Sequence, residues 1–127
     1  MPPSIIPVAK SLYICDGTIG FANQKTDLMG IFNAIRPAQY PHLQRHFVIF
    51  AQLLGGLGQV PFYFDVRYAA DNTLVHSTKA RLLYFPNRDT VVQMAFTADC
   101  LFPQPGISLV ELICNGQWVA DTTLKLH

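Results

Sequence analysis

Residues 102–126, FPQPGISLVELICNGQWVADTTLKL, hold two β-prone runs around a turn pair. Asn115-Gly116 separates ISLVELIC from QWVADTTLKL, and an Asn-Gly pair supplies the two positive φ angles that a type I′ turn requires. The flanking runs are rich in β-branched and apolar residues, so the segment is expected to form one long antiparallel hairpin. A two-residue turn sets Ile113 opposite Trp118, Glu111 opposite Ala120 and Leu109 opposite Thr122 on one face, with Val110, Leu112, Cys114 and Val119 on the other. Both faces are then largely apolar, although a sandwich has to bury only one. Either the chain itself or another subunit covers the second face. Ile107, Leu109, Ile113 and Trp118 are the residues expected at a subunit interface, with Trp118 as its aromatic anchor.

Working back from the hairpin, Thr90 to Ala98 aligns Val92, Met94 and Phe96 as a strand, after the turn signal Pro86-Asn87-Arg88-Asp89. Thr73 to Phe85 reads as one strand following the turn Asp71-Asn72. The clearest period of two sets Val60, Phe62, Phe64, Val66 and Tyr68 against Tyr63, Asp65 and Arg67, the mark of a half-buried strand. Gly55-Gly56-Leu57-Gly58 breaks the chain before it. Phe47 to Leu54 is continuously apolar, so both of its faces should be covered. Ala38 to Arg45 reads as a crossing loop. Asp27 to Ile35, DLMGIFNAI, fits a short helix or a strand, and Gly30 with Pro37 favours the strand. Asn23-Gln24-Lys25 is a polar connection, Asp16-Gly17 a turn, and Lys10 to Cys15 an alternating strand. Residues 1–9 form a proline-rich leader or edge extension.

The pattern amounts to about eight short strands with turn signals roughly every ten residues and little or no helix, which predicts an all-β, two-sheet antiparallel β-sandwich. A chain of 127 residues fits one domain spanning 1–127, long enough to bury a core without a disulfide or metal staple. Charged residues are only 13% of the composition against 50% hydrophobic, about half the usual charged share. Such a chain is expected to carry an apolar patch that marks an interface. The net charge of +1 comes from nine basic and eight acidic residues without runs, which leaves no electrostatic footprint for nucleic acid or an anionic membrane. No apolar run approaches the ~20 residues of a membrane-spanning helix, and the N-terminus lacks the pattern of a secretory signal. Three cysteines, Cys15, Cys100 and Cys114, stand at wide, unpatterned spacings, as expected for buried thiols in a reducing cytoplasm.

Several of these segments also carry a resemblance. Leu12 to Gly17 (LYICDG), Leu28 to Ile35 (LMGIFNAI), the Phe-rich strand opening at Phe47, the Leu54 to Gly58 break, and FPQPG followed by VELICNGQWVADTTLKL are similar to a family of small bacterial proteins of unknown function. The likeness runs from about Leu12 to Leu126. It implies an immunoglobulin-like β-sandwich in a bacterial cytoplasm, and it brings no catalytic or binding residue with it.

Candidate chemistry is sparse. His42 and His46 have the four-residue spacing of a metal pair on a helix, but Pro41 precedes them and no acidic residue follows in the pattern of a helical zinc motif. At Cys15-Asp16 the neighbouring anion should raise the thiol pKa and blunt its nucleophilicity. The glycine-rich Gly55 to Gly58 precedes a strand, whereas a phosphate loop opens a helix, so a bulge or wide turn is expected. No catalytic, metal or cofactor residue is therefore assigned, and no cofactor is expected. The expectation is a non-catalytic cytoplasmic protein that forms a homo-oligomer, a dimer, or engages a protein partner through an apolar sheet face or strand edge. The alternative is a small-ligand module with a pocket lined by Tyr40, Tyr63, Tyr68 and Tyr84. An enzyme using Asp16 with a distant histidine is a third, weaker reading.

Overall fold

A computed structural model describes residues 3–22 and 25–127; Asn23 and Gln24 of the polar connection and the first two leader residues lie outside the described residues. Among the described residues there are eleven strands, β1 (Val8–Cys15), β2 (Gly17–Gly20), β3 (Thr26–Met29), β4 (Ala34–Ile35), β5 (His42–Leu54), β6 (Gly58–Tyr68), β7 (Leu74–Ser77), β8 (Arg81–Phe85), β9 (Val92–Phe102), β10 (Gly106–Cys114) and β11 (Gln117–Leu126). Among the described residues none is helical. A three-stranded sheet in the order β1-β5-β9 packs on a six-stranded sheet in the order β4-β11-β10-β6-β7, with β8 also paired to β6. β2 and β3 form a separate hairpin. The all-β, sandwich-like architecture is the one the strand spacing predicts.

Period-two alternation builds the core. Val60, Phe62, Phe64 and Val66 of β6 and Val110, Leu112 and Cys114 of β10 meet Phe47, Ile49, Ala51 and Leu53 of β5 and Met94, Phe96 and Ala98 of β9. Phe62 and Phe64 reach Phe96 across the sandwich with ring centroids 6.2 and 5.5 Å apart, contacts that each add about 0.5–1.5 kcal/mol beyond area burial. As its unbroken apolar run requires, β5 is buried on both faces. Val48 and Phe50, on its back, are buried as well. There β2 packs on β5, and Thr26 Oγ1 donates to Gln93 Oε1 at 2.9 Å, so the β2–β3 hairpin lies over the back of the three-stranded sheet.

The strands outnumber the sequence expectation because two segments are interrupted and β2 forms just after Asp16, where only a turn was expected. Thr73 to Phe85 is two strands, β7 and β8, which pair in turn with the same edge of β6. Thr78 sits at the handover, taking the Phe64 N–H on its hydroxyl at 2.9 Å and donating its own N–H to Phe64 O. Asp27 to Ile35 is extended but divides at Gly30 into β3 and β4, and β4 pairs in parallel with the end of β11. The expected loop at 38–45 is shorter than that, since β5 already begins at His42. Its first turn of ladder is disguised by a bulge between Gln44 and Phe47, where His46 adopts φ 54°.

The closing hairpin forms as expected, with Asn115 and Gly116 at φ 50° and 76° and Ile113 opposite Trp118. Beyond that pair the expected register is corrected by one residue. A bulge leaves Val119 without a partner, so Leu112 meets Ala120, Glu111 meets Asp121 and Leu109 meets Thr123. The extra residue keeps Leu124 and Leu126 on the buried face, which an unbulged strand would have turned outward.

Candidate functional site

The outer face of the six-stranded sheet is built by the odd-numbered positions of β6 and β10, whose even-numbered neighbours fill the core. One row crosses β7, β6, β10 and β11 through Ser77, Asp65, Glu111 and Asp121. A second row sets Leu74, Arg67, Leu109 and Thr123 side by side. A third joins Tyr63, Ile113 and Trp118. Next to it, Leu82 lies opposite Pro61 and Tyr84 opposite Gln59. The face thus has a polar belt between two apolar zones, and from Gln59 to Arg67 it is about 26 Å long at the usual strand rise.

The belt is locked by one cation. Arg67 Nε lies 3.1 Å from Glu111 Oε1, and its Nη2 lies 3.4 Å from Asp65 Oδ2. Ser77 Oγ donates to Asp65 Oδ1 at 2.6 Å, and Arg67 Nη1 donates to Asn72 O at 3.3 Å. Asp65 is buried within this set although it belongs to the outer face. With its lone pairs taken by Arg67 and Ser77, it acts as a structural anchor between strands.

The four residues expected at an interface do share this face, in unequal states. Trp118 is 56% and Ile107 47% exposed, whereas Ile113 is only 9% exposed and Leu109 is half-buried. Trp118 and Ile107 stand at opposite ends of the hairpin with the belt between them. Leu82 and Tyr84 are more exposed still, at 63% and 65%. The sequence reading placed neither on this face, naming Tyr84 only as a pocket residue, because it treated Thr73 to Phe85 as one strand without assigning its faces. No described segment lies over Trp118.

The other candidates fall elsewhere. His42 and His46 lie on β5, where His42 Nε2 is 2.9 Å from Gln44 Oε1 and His46 Nδ1 is 3.8 Å from Asp99 Oδ1. Among the described residues no three His, Cys, Asp or Glu side chains come together as a metal-holding group. Asp16 is packed against Gly30, where it would collide with any side chain. Cys15, Cys100 and Cys114 are buried free thiols. Burial pushes Cys100 up to about 12 and Cys114 up to about 11. It also raises Cys15, with a smaller contribution from the Asp16 carboxylate and an opposing one from a backbone hydrogen bond at Gly17.

Gly55 to Gly58 form the turn between β5 and β6, and a Cβ at Gly56 would come within 2.8 Å of the Phe85 ring. Beside that turn is an open cavity of about 550 Å³ lined by Pro3, Ser4, Leu57, Gly58, Gln59, Tyr84, Phe85 and Pro86. The four tyrosines do not converge on it. Tyr68 points inward, its hydroxyl 2.9 Å from Gln104 O, and Tyr40 donates to His127 O at 2.7 Å. Tyr63 lies on the outer face, and Tyr84 alone of the four lines the cavity.

Residues 10–127 match a family of unknown function, DUF6941, and the chain belongs to that family. No curated protein matches it. No helix among the described residues is long and apolar enough to cross a membrane.

Proposed function

We propose that this member of the DUF6941 family is a non-catalytic, self-associating β-sandwich, immunoglobulin-like and resident in a bacterial cytoplasm, in which a second copy covers the outer face of the six-stranded sheet. The observation that carries this reading is the set of large apolar side chains, Trp118, Leu82, Tyr84 and Ile107, that stay in water on the outer face of the six-stranded sheet. Each such side chain forgoes roughly 1.5–3 kcal/mol of burial, so pairing them is a substantial driving force. A twofold contact presents the same face from both copies, with Trp118 and Ile107 at either end of it and Leu109 and the little-exposed Ile113 between. The low charge of the chain offers little repulsion against it. Buried, unpaired thiols support a reducing compartment.

The test is Trp118→Glu, followed by light scattering at tens of micromolar. Wild-type protein is expected to be larger than a monomer, and the variant to lose that association with its circular dichroism unchanged. A monomeric wild type, or a variant that keeps the full mass, overturns the reading. A second reading, capture of a small apolar ligand, is favoured by the 550 Å³ cavity at Tyr84. Tyr84→Ala would then abolish binding of an apolar dye while leaving the mass unchanged.

A further inference from the structure

We infer that the second copy docks on the outer face with its strands antiparallel to those beneath, about a twofold axis lying across the strands near Thr123, so that Lys125 of each copy meets Asp121 of the other. This orientation rests on the self-association proposed above, and adds to it the residues that select the partner.

Alternation along β11 puts Asp121, Thr123 and Lys125 on the outer face, all three exposed. Asp121 lies directly opposite Glu111, and like charges so placed destabilise a sheet. Arg67 relieves the other half of that row, since it is engaged with Glu111 and Asp65. Among the described residues no ion pair includes Asp121. Lys125 is the same case with the opposite sign. Its cross-strand neighbours are Ile107 and Ala34, and it too belongs to no ion pair among the described residues. Asp121 of its own chain is four residues away along the strand, about 13 Å, beyond the reach of side chains that stand off the sheet.

Two copies meeting face to face about a twofold axis can align their strands in two ways. An axis along the strands lays the row Asp65, Glu111 and Asp121 of one copy over the same row of the other. Each row has more carboxylates than Arg67 can neutralise, so that contact repels. An axis across the strands reverses the rows instead. Set at the level of Thr123, it carries Asp121 onto Lys125 and Lys125 onto Asp121, and a single operation closes both pairs.

The remaining side chains agree with this alignment. Leu109, on the Thr123 row, meets its own copy at the centre. Arg67, on that row as well, brings a charge already taken by two carboxylates. Trp118 stands one outer row from Asp121, so the apolar stem of the arriving lysine covers the exposed indole. A face charged with one sign would repel its own copy. This one carries an unpaired acid and an unpaired base, and a second copy brings both at the spacing the face requires.

The test reverses each charge separately in the full chain and reads the mass by light scattering at tens of micromolar. Asp121→Lys and Lys125→Asp change exposed positions, and both should keep the circular dichroism spectrum of wild type. Each is expected to fall to half the wild-type mass, because symmetry makes two like-charge contacts out of one substitution. An equimolar mixture of the two variants should regain the full mass, since one then carries only positive and the other only negative charge at the two positions. The double variant, Asp121→Lys with Lys125→Asp, should regain it alone. Recovery on mixing also shows that both variants are folded. If either single variant keeps the wild-type mass, or if neither the mixture nor the double variant recovers it, Asp121 and Lys125 do not meet across the contact. Association lost in Trp118→Glu but kept in both charge variants leaves the outer face as the interface and overturns this orientation alone, whereas a monomeric wild type overturns both.

Discussion

Asp65 and Glu111 face each other directly across the β6–β10 ladder, two carboxylates on neighbouring strands held together by the guanidinium of Arg67. Like charges so opposed destabilise a sheet, and the cation between them reverses the sign. Replacing Arg67 with Leu leaves the two acids unscreened in a half-buried setting, with an expected loss of about 2 kcal/mol. Arg67→Lys should recover only part of it, because an ammonium lacks the planar fork that serves two carboxylates and the Asn72 carbonyl at once. Urea unfolding of the two variants measures this, and equal stability of wild type and Arg67→Leu would count against the assignment.

Ser108 is the opposite case, a polar group with nothing to hold. It lies on the core face of β10, fully buried, and its Oγ has no hydrogen-bond partner among the described residues. Removing an unsatisfied buried hydroxyl relieves its desolvation. Ser108→Ala should therefore stabilise the protein by about 1 kcal/mol, seen as a higher denaturation midpoint at unchanged m-value.

Tyr68 ties the end of β6 to the loop before β10. Its hydroxyl donates to Gln104 O at 2.9 Å and accepts from Gln104 N at 3.2 Å. Burial holds this phenol above its ordinary pKa, with the Gln104 hydrogen bond pulling the other way. Tyr68→Phe keeps the ring and removes both bonds, so a loss of about 1 kcal/mol is expected. Amide exchange at Gln104 should accelerate in the same variant, and an unchanged rate would mean that the loop is held by other contacts.

The cysteines make stability depend on pH in the alkaline range. Folded thiols at about 12 for Cys100 and about 11 for Cys114 stand above the ordinary value of 9.0. The native state therefore keeps protons that the unfolded chain releases. Their contribution is intact below about pH 9 and is lost as pH rises toward 12, at up to about 1.4 kcal/mol per pH unit for each thiol. Cys100→Ala should flatten the fall in unfolding free energy between pH 9 and 11, whatever its effect at pH 8. An identical slope in the variant would contradict the protonated state.

Much of this was written locally. The Asn115-Gly116 turn and the alternation of β6 and β9 are legible because each depends on residues within a few positions of one another, through φ preference and the period of two. The two-sided burial of β5 is legible for the same reason, since an unbroken apolar run has no face to give to water. The break of Thr73–Phe85 at Thr78 was not legible, because it is made by a hydrogen bond to Phe64, fourteen residues away. Nor was the bulge at Val119. One unpaired residue there decides which side chains meet Asp121 and Thr123, and its benefit is the burial of Leu124 and Leu126 against the opposite sheet.

The candidate site divides along the same line. The sequence placed Ile107, Leu109, Ile113 and Trp118 on one face from strand alternation alone. Only the tertiary structure set Leu82, Tyr84 and the Asp65–Arg67–Glu111 belt beside them, because these come from strands brought together by long-range pairing. It also decided where the β2–β3 hairpin docks on the three-stranded sheet, through Thr26 and Gln93, and that β7 lies beside β9. Coverage and edges are properties of the assembled sheets, so no window of the chain contains them.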